Sequence, residues 1–222
     1  MFEQEVHIMK KFFLLVFIIS TAIHLAASYK NDKRLRGLTK PFILASLLGF
    51  YCFAAAIPQW TVVLALLFSW FGDIFLMLSG TKWFVVGGIS FMISHFFFIL
   101  SYSGLIDFSN LKAIPAAMII IAFLAIVIII FSKLKKYLSK ALFYPMMLYL
   151  FINGMMNAFS MFRAITLPSA AAYITVVGAI LFFISDTSLF FVRFNKDSVQ
   201  KSHFLVMLTY SLGELLIVLG LL

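Results

Sequence analysis

The sequence predicts an all-α integral membrane protein, a bundle of eight transmembrane helices with both termini on the non-cytoplasmic side. Three observations carry that prediction. Of the 222 residues 64% are hydrophobic and 11% charged, which leaves too little polar surface to cover a soluble globule. The apolar residues come in runs near the ~20 that a helix needs to cross ~30 Å of hydrocarbon. The Lys and Arg residues sit between those runs and favour one side of the membrane.

The runs fall at residues 8–29, 39–57, 60–80, 82–102, 112–132, 138–162, 168–194 and 201–222, one transmembrane domain over residues 1–222. The first, Lys10-Lys11 ahead of Phe12 to Ile19 and then Ala26-Ala27-Ser28, also has the layout of a secretory signal. Cleavage would leave Lys30, Lys33, Arg34, Arg36 and Lys40 outside, against the charge bias, so it is read as a retained helix. The second opens at Lys40-Pro41. Short turns at Ile57-Pro58-Gln59 and Ser79-Gly80-Thr81 make spans two to four successive antiparallel hairpins. Span three holds Asp73 in Ser69-Trp70-Phe71-Gly72-Asp73, and span four holds Ser94-His95. Span six places Tyr149, Asn153 and Asn157 four residues apart, hence on one helical face. Span seven holds Ser185-Asp186-Thr187 and span eight carries Glu214; spans six and seven are long enough to tilt or protrude.

Orientation follows from the basic residues. Lys30, Lys33, Arg34, Arg36, Lys40, Lys82, Lys133, Lys135, Lys136, Lys140, Arg193, Lys196 and Lys201 fall on one side. Only Lys10, Lys11, Lys112 and Arg163 fall on the other, which accounts for all 17. The richer side is cytoplasmic by the positive-inside rule, as in the inner (plasma) membrane of a bacterium. The net charge of +9 is spread over short clusters between apolar runs, so it reads as topology and contact with anionic headgroups, not as a nucleic-acid surface. Cys52 is the single cysteine and excludes an internal disulfide.

The two intramembrane acids are the centre of the reading. An Asp in mid-span costs about 2.5–3.5 kcal/mol on insertion scales and is by default a functional-site hypothesis. Asp73 stands seven residues before Gly80 and Asp186 seven before Arg193, each ~10 Å from the cytoplasmic end of its helix at 1.5 Å per residue. Lys40, His95, Asn153, Asn157 and Glu214 are the other polar groups within the apolar runs. Each has a structural reading: an ion pair for the acids, interhelical hydrogen bonds for His95 and the asparagines, an interfacial anchor for Lys40. His24 and Tyr210 read as structural or interfacial. The chain has no His-Glu-x-x-His, Gly-x-Ser-x-Gly or Gly-rich phosphate loop, and its His and Cys spacing does not support zinc, so neither metal nor cofactor is expected.

Taken in order, Lys40-Pro41, Gly72-Asp73, Ser94-His95, Gly178-Ala179 to Ser185-Asp186, and a polar residue in a final apolar helix resemble the YhhN/TMEM86 family, the lysoplasmalogenases. The resemblance covers nearly the whole chain. Two positions depart from it: Phe98 stands where Tyr is common, and Glu214 where Gln is common. It implies hydrolysis of the vinyl-ether bond of a lysoplasmalogen, a lysophospholipid, to a fatty aldehyde and glycerophospho-ethanolamine or -choline.

The residues suit that chemistry in their own right. A vinyl ether is hydrolysed by protonation at its β-carbon, giving an oxocarbenium ion that water attacks to form a hemiacetal, which collapses. That requires an acid, a nearby negative charge and a positioned water, as in glycosidases. Two carboxylates in different protonation states meet the requirement. The expectation is that Asp73 and Asp186 form the acid and base pair and His95 orients one of them or the water. Lys40 meets the phosphate, and Tyr149, Asn153, Asn157, Ser185 and Glu214 line the substrate cavity. The competing readings are a proton-coupled transporter or lipid flippase using the same acids, and a membrane scaffold in which they are interhelical glue.

Overall fold

A computed structural model describes residues 2–195 and 203–222. Among the described residues are eight α-helices and no strand. In order they are α1 (Phe2–Tyr29), α2 (Lys33–Ala54), α3 (Trp60–Met77), α4 (Thr81–Ser103), α5 (Ala113–Leu134), α6 (Lys140–Thr166), α7 (Ala170–Phe194) and α8 (His203–Gly220). All eight are long and apolar enough to cross a membrane, as the run lengths predict. Lys196 and Lys201, assigned above to the loop after span seven, lie outside the described residues, as does the start of span eight at 201–202. The helices form two compact units, one of residues 1–98 with Leu222 and one of residues 99–221.

In the first unit α2 packs on α1 and on α3. The α1–α2 turn is sharp because Asn31 adopts φ 56°, a left-handed conformation that Asn tolerates better than most residues. Asp32 then caps α2, its Oδ1 accepting from Leu35 N at 3.0 Å. The cap corrects the expected boundary. Helix α2 begins at Lys33, six residues before position 39, so the basic run Lys33 to Lys40 forms its first two turns and Pro41 is internal. At the other end Gln59 N donates to Tyr51 Oη at 3.0 Å, which closes the short turn into α3. His24 Nδ1 meets Thr39 Oγ1 at 2.9 Å, the structural role read for it from sequence.

In the second unit α6 packs on α5 and α7, and α7 packs most extensively on α8. Ile106, Phe123, Ala158 and Phe162 form a buried apolar cluster where α5 meets α6. Helix α6 runs to Thr166, past the expected end at 162, so Arg163 is a buried helical residue and not part of a loop. The α7–α8 seam is set by glycines. A Cβ on Gly178 would stand 2.7 Å from Ile217 N, and one on Gly213 would stand 2.9 Å from Gly178 O and from Phe182 N. Only hydrogen at both positions lets the backbones approach this closely, which matters because hydrocarbon solvent gives apolar side chains little drive to associate.

Gly213→Ala is therefore expected to destabilise the second unit by about 1–3 kcal/mol, since its methyl meets backbone that cannot rotate away. The thermal midpoint of the detergent-solubilised chain measures it, and an unchanged midpoint would refute the seam.

Candidate functional site

Two polar centres stand out, one in each unit. In the first, Asp73 is buried on α3 and its Oδ1 lies 3.0 Å from Lys40 Nζ on α2. The pairing depends on the register of the two helices, which a second contact fixes. Trp70 Nε1, almost one turn before Asp73, donates to Pro41 O at 2.8 Å, next in chain to Lys40. Lys40 thus meets the carboxylate of Asp73, where the sequence reading sends its ammonium to a phosphate.

Helix α4 is held against α3 beside this pair. Ser69 Oγ and Ser94 Oγ are 2.8 Å apart, and Ser90 Oγ donates to Phe68 O at 2.7 Å. Gly72 makes room for the contact, since a Cβ there would fall 2.5 Å from the Phe91 ring. His95, next to Ser94, is wholly buried. The short motifs Gly72-Asp73 and Ser94-His95 thus lie on two helices that touch, and the serine and glycine beside the titratable residues are what bring the helices together.

In the second unit Asp186 on α7 is buried and accepts two hydrogen bonds on one oxygen. Tyr149 Oη donates to Oδ2 at 2.6 Å and Asn153 Nδ2 donates to the same atom at 2.7 Å. Asn157 Nδ2 in turn donates to Asn153 O at 3.0 Å and lies 3.3 Å from Asn153 Oδ1. The stripe at 149, 153 and 157 predicted from four-residue spacing is thus a hydrogen-bonded ladder running from the carboxylate along α6. The Tyr149 ring is fixed edge-on to Phe190 at 5.0 Å between centroids.

Other expected residues take different places. Ser185 Oγ donates to Val206 O at 2.9 Å, a tie between α7 and α8. Glu214 is fully buried in α8. Asp73 and Asp186 belong to different units. Sequence reasoning missed Arg163 as an internal group: its Nη1 donates to Thr175 Oγ1 at 2.8 Å and its Nη2 to Gly220 O at 2.9 Å, joining α6, α7 and α8. The signal was present in the apolar Phe162 before it and Ala164-Ile165 after it, which extend the helix beyond the arginine.

The arrangement supplies a charged carboxylate with a compensating ammonium in the first unit. In the second it supplies a carboxylate whose orientation is fixed by a phenol and an amide. Both stand where water is scarce, a setting in which each electrostatic contact is stronger than in bulk solvent.

The family model described as "YhhN family" matches residues 35–221. No curated protein and no solved structure matches the chain.

The Lys40–Asp73 pair gives a direct test. Lys40→Met takes the ammonium away from a buried carboxylate and is expected to lower stability by about 3–5 kcal/mol, whereas Lys40→Met with Asp73→Asn recovers most of that loss. Denaturation of the single and double variants measures the difference, and equal losses in both would mean that the pair is not coupled.

Proposed function

This chain belongs to the YhhN family, and from that premise we propose that it is an intramembrane hydrolase of lysoplasmalogens. It would cleave the vinyl-ether bond with one water to release a fatty aldehyde and glycerophospho-ethanolamine or -choline. The observation that carries the reading is Asp186, a carboxyl within a membrane-spanning helix whose Oδ2 is engaged by both Tyr149 and Asn153. The two donors fix the orientation of a carboxyl buried in a membrane-spanning helix, a setting that suits a general acid.

In this reading Asp186 delivers the proton to the β-carbon of the vinyl ether. Asp73, the other intramembrane carboxyl of the family motifs, has Lys40 beside it and is the candidate base. His95 orients water. The hemiacetal then collapses, its C–O bond to the glycerol breaking as the glycerol oxygen gains a proton. The assignment rests on the motifs Gly72-Asp73, Ser94-His95 and Ser185-Asp186 and on the burial of all three titratable side chains. Ser185 is spent on Val206 O, and Glu214 is kept as a buried acid of α8.

The proposal also places the lysine-rich helix ends on the cytoplasmic face of a bacterial plasma membrane, next to the lipid phosphate. The removal of Arg163 from the loops leaves only Lys10, Lys11 and Lys112 on the opposite side, which sharpens the asymmetry.

The test is aldehyde release from a 1-alkenyl lysophospholipid by the purified chain, compared with Asp73→Asn and Asp186→Asn. Release by the natural chain, and a loss of at least about 100-fold in each folded variant, is the expected result, as removal of a general acid or base predicts. Folded protein that binds the lipid and moves it across a bilayer without cleavage would instead favour the proton-coupled transporter.

A further inference from the structure

A groove of about 450 Å³ runs along the second unit, within the ~300–1,000 Å³ of small-molecule sites. Ile126 and Ile130 of α5, Ile180 and Ile184 of α7, and Met161 and Asn157 of α6 line it. Ile126 and Ile184 are exposed at its edges. In a membrane-spanning unit an apolar groove with exposed isoleucines opens on the hydrocarbon of the bilayer, and the matching occupant is a hydrocarbon chain.

One feature of the groove is not hydrocarbon-like. Asn157 Oδ1 is buried and has no hydrogen-bond partner among the described residues, and the same holds for Thr187 Oγ1, also on the lining. The direction of the Asn157 amide is dictated from a distance. Asp186 Oδ2 accepts from both Tyr149 and Asn153, so Asn153 turns its Nδ2 toward it. That leaves Asn153 Oδ1 facing Asn157, which therefore presents Nδ2 to it and directs Oδ1 away. The carboxylate at one end of the ladder forces a bare acceptor at the other. A buried acceptor without a partner is destabilising, and a donor brought by a ligand removes that cost.

We propose that this groove binds the single chain of a lysolipid and that Asn157 Oδ1 accepts a hydrogen bond from the lipid's free glycerol hydroxyl, making Asn157 the residue that selects one-chain over two-chain lipids. Thr187 Oγ1 supplies a second polar group on the same groove. A two-chain lipid has no hydroxyl there; its esterified oxygen accepts only, and facing Oδ1 it leaves two acceptors unpaired. Selection of this kind, by leaving a polar group of the site unmet, is stronger than selection by apolar fit alone.

The inference takes the lysolipid class from the hydrolase reading above, but its test reads binding. The full chain in detergent is titrated with a saturated 1-alkyl lysophosphatidylethanolamine, which has no vinyl ether to cleave, and with the same lipid methylated on its free hydroxyl. The natural chain is expected to bind the free-hydroxyl lipid ~10-fold more tightly, as one hydrogen bond to an otherwise unmet buried acceptor predicts. Asn157→Leu should abolish the preference, and Ile184→Trp, which fills the groove, should weaken both lipids ~10-fold or more. Equal binding of the two lipids by the natural chain, a comparison that needs no variant to fold, overturns the proposal. So does a preference that survives in folded Asn157→Leu protein. Preference without aldehyde release from a 1-alkenyl lipid would sink the hydrolase reading and leave this one standing, and aldehyde release without preference would do the reverse.

Discussion

In hydrocarbon a polar group must find its partner inside the protein, and that constraint organises both units. Each helix contact near the candidate residues carries a polar tie. Trp70 to Pro41 O and Lys40 to Asp73 join α2 and α3, and Ser69 to Ser94 joins α3 and α4. Tyr149 and Asn153 to Asp186 join α6 and α7. Arg163 reaches both Thr175 and Gly220, and Ser185 reaches Val206, so α8 is tied twice. Apolar matching would give these helices no unique register against one another, because lipid tails are as good a neighbour as leucine. The polar ties, with Gly72, Gly178 and Gly213 allowing close approach, supply it.

The same ties give the titratable groups fixed surroundings. Asp73 is set against a cation that arrives from the start of α2, and its position follows from how Asp32 caps that helix two turns earlier. Asp186 accepts from two neutral donors on α6, and its orientation follows from the spacing of Tyr149 and Asn153. Asp73 thus has a cation beside it, and Asp186 a phenol and an amide.

The spans were legible because period and length suffice for them: runs of apolar residues near twenty admit no other structure in a membrane. The four-residue stripe of α6 was legible for a similar reason, since helical periodicity alone puts Tyr149, Asn153 and Asn157 in line. The start of α2 was not. The basic run from Lys33 to Lys40 looks like a loop by composition, and the deciding group is the single side chain of Asp32. Arg163 was lost to a rule that treats every arginine as a topology marker; its guanidinium is buried because Thr175 and Gly220 offer it oxygen atoms from two other helices. The partnership of Lys40 with Asp73 joins residues 33 apart in the chain, and no local pattern announces it.

Helix α5 stands apart from this scheme. Its only uncharged polar side chain, Ser132, bonds back to Ile129 O of the same helix, and among the described residues no hydrogen bond ties α5 to α6 or α7. What holds it is apolar surface, such as Phe123 in the cluster with Phe162 and Phe131 against Phe143, which acyl chains can replace at little cost. Thermal motion in the second unit will accordingly be concentrated in α5. Tilting it away from α7 breaks no hydrogen bond, so the bilayer itself can act as a wedge that widens one wall while the ladder on α6 keeps its geometry.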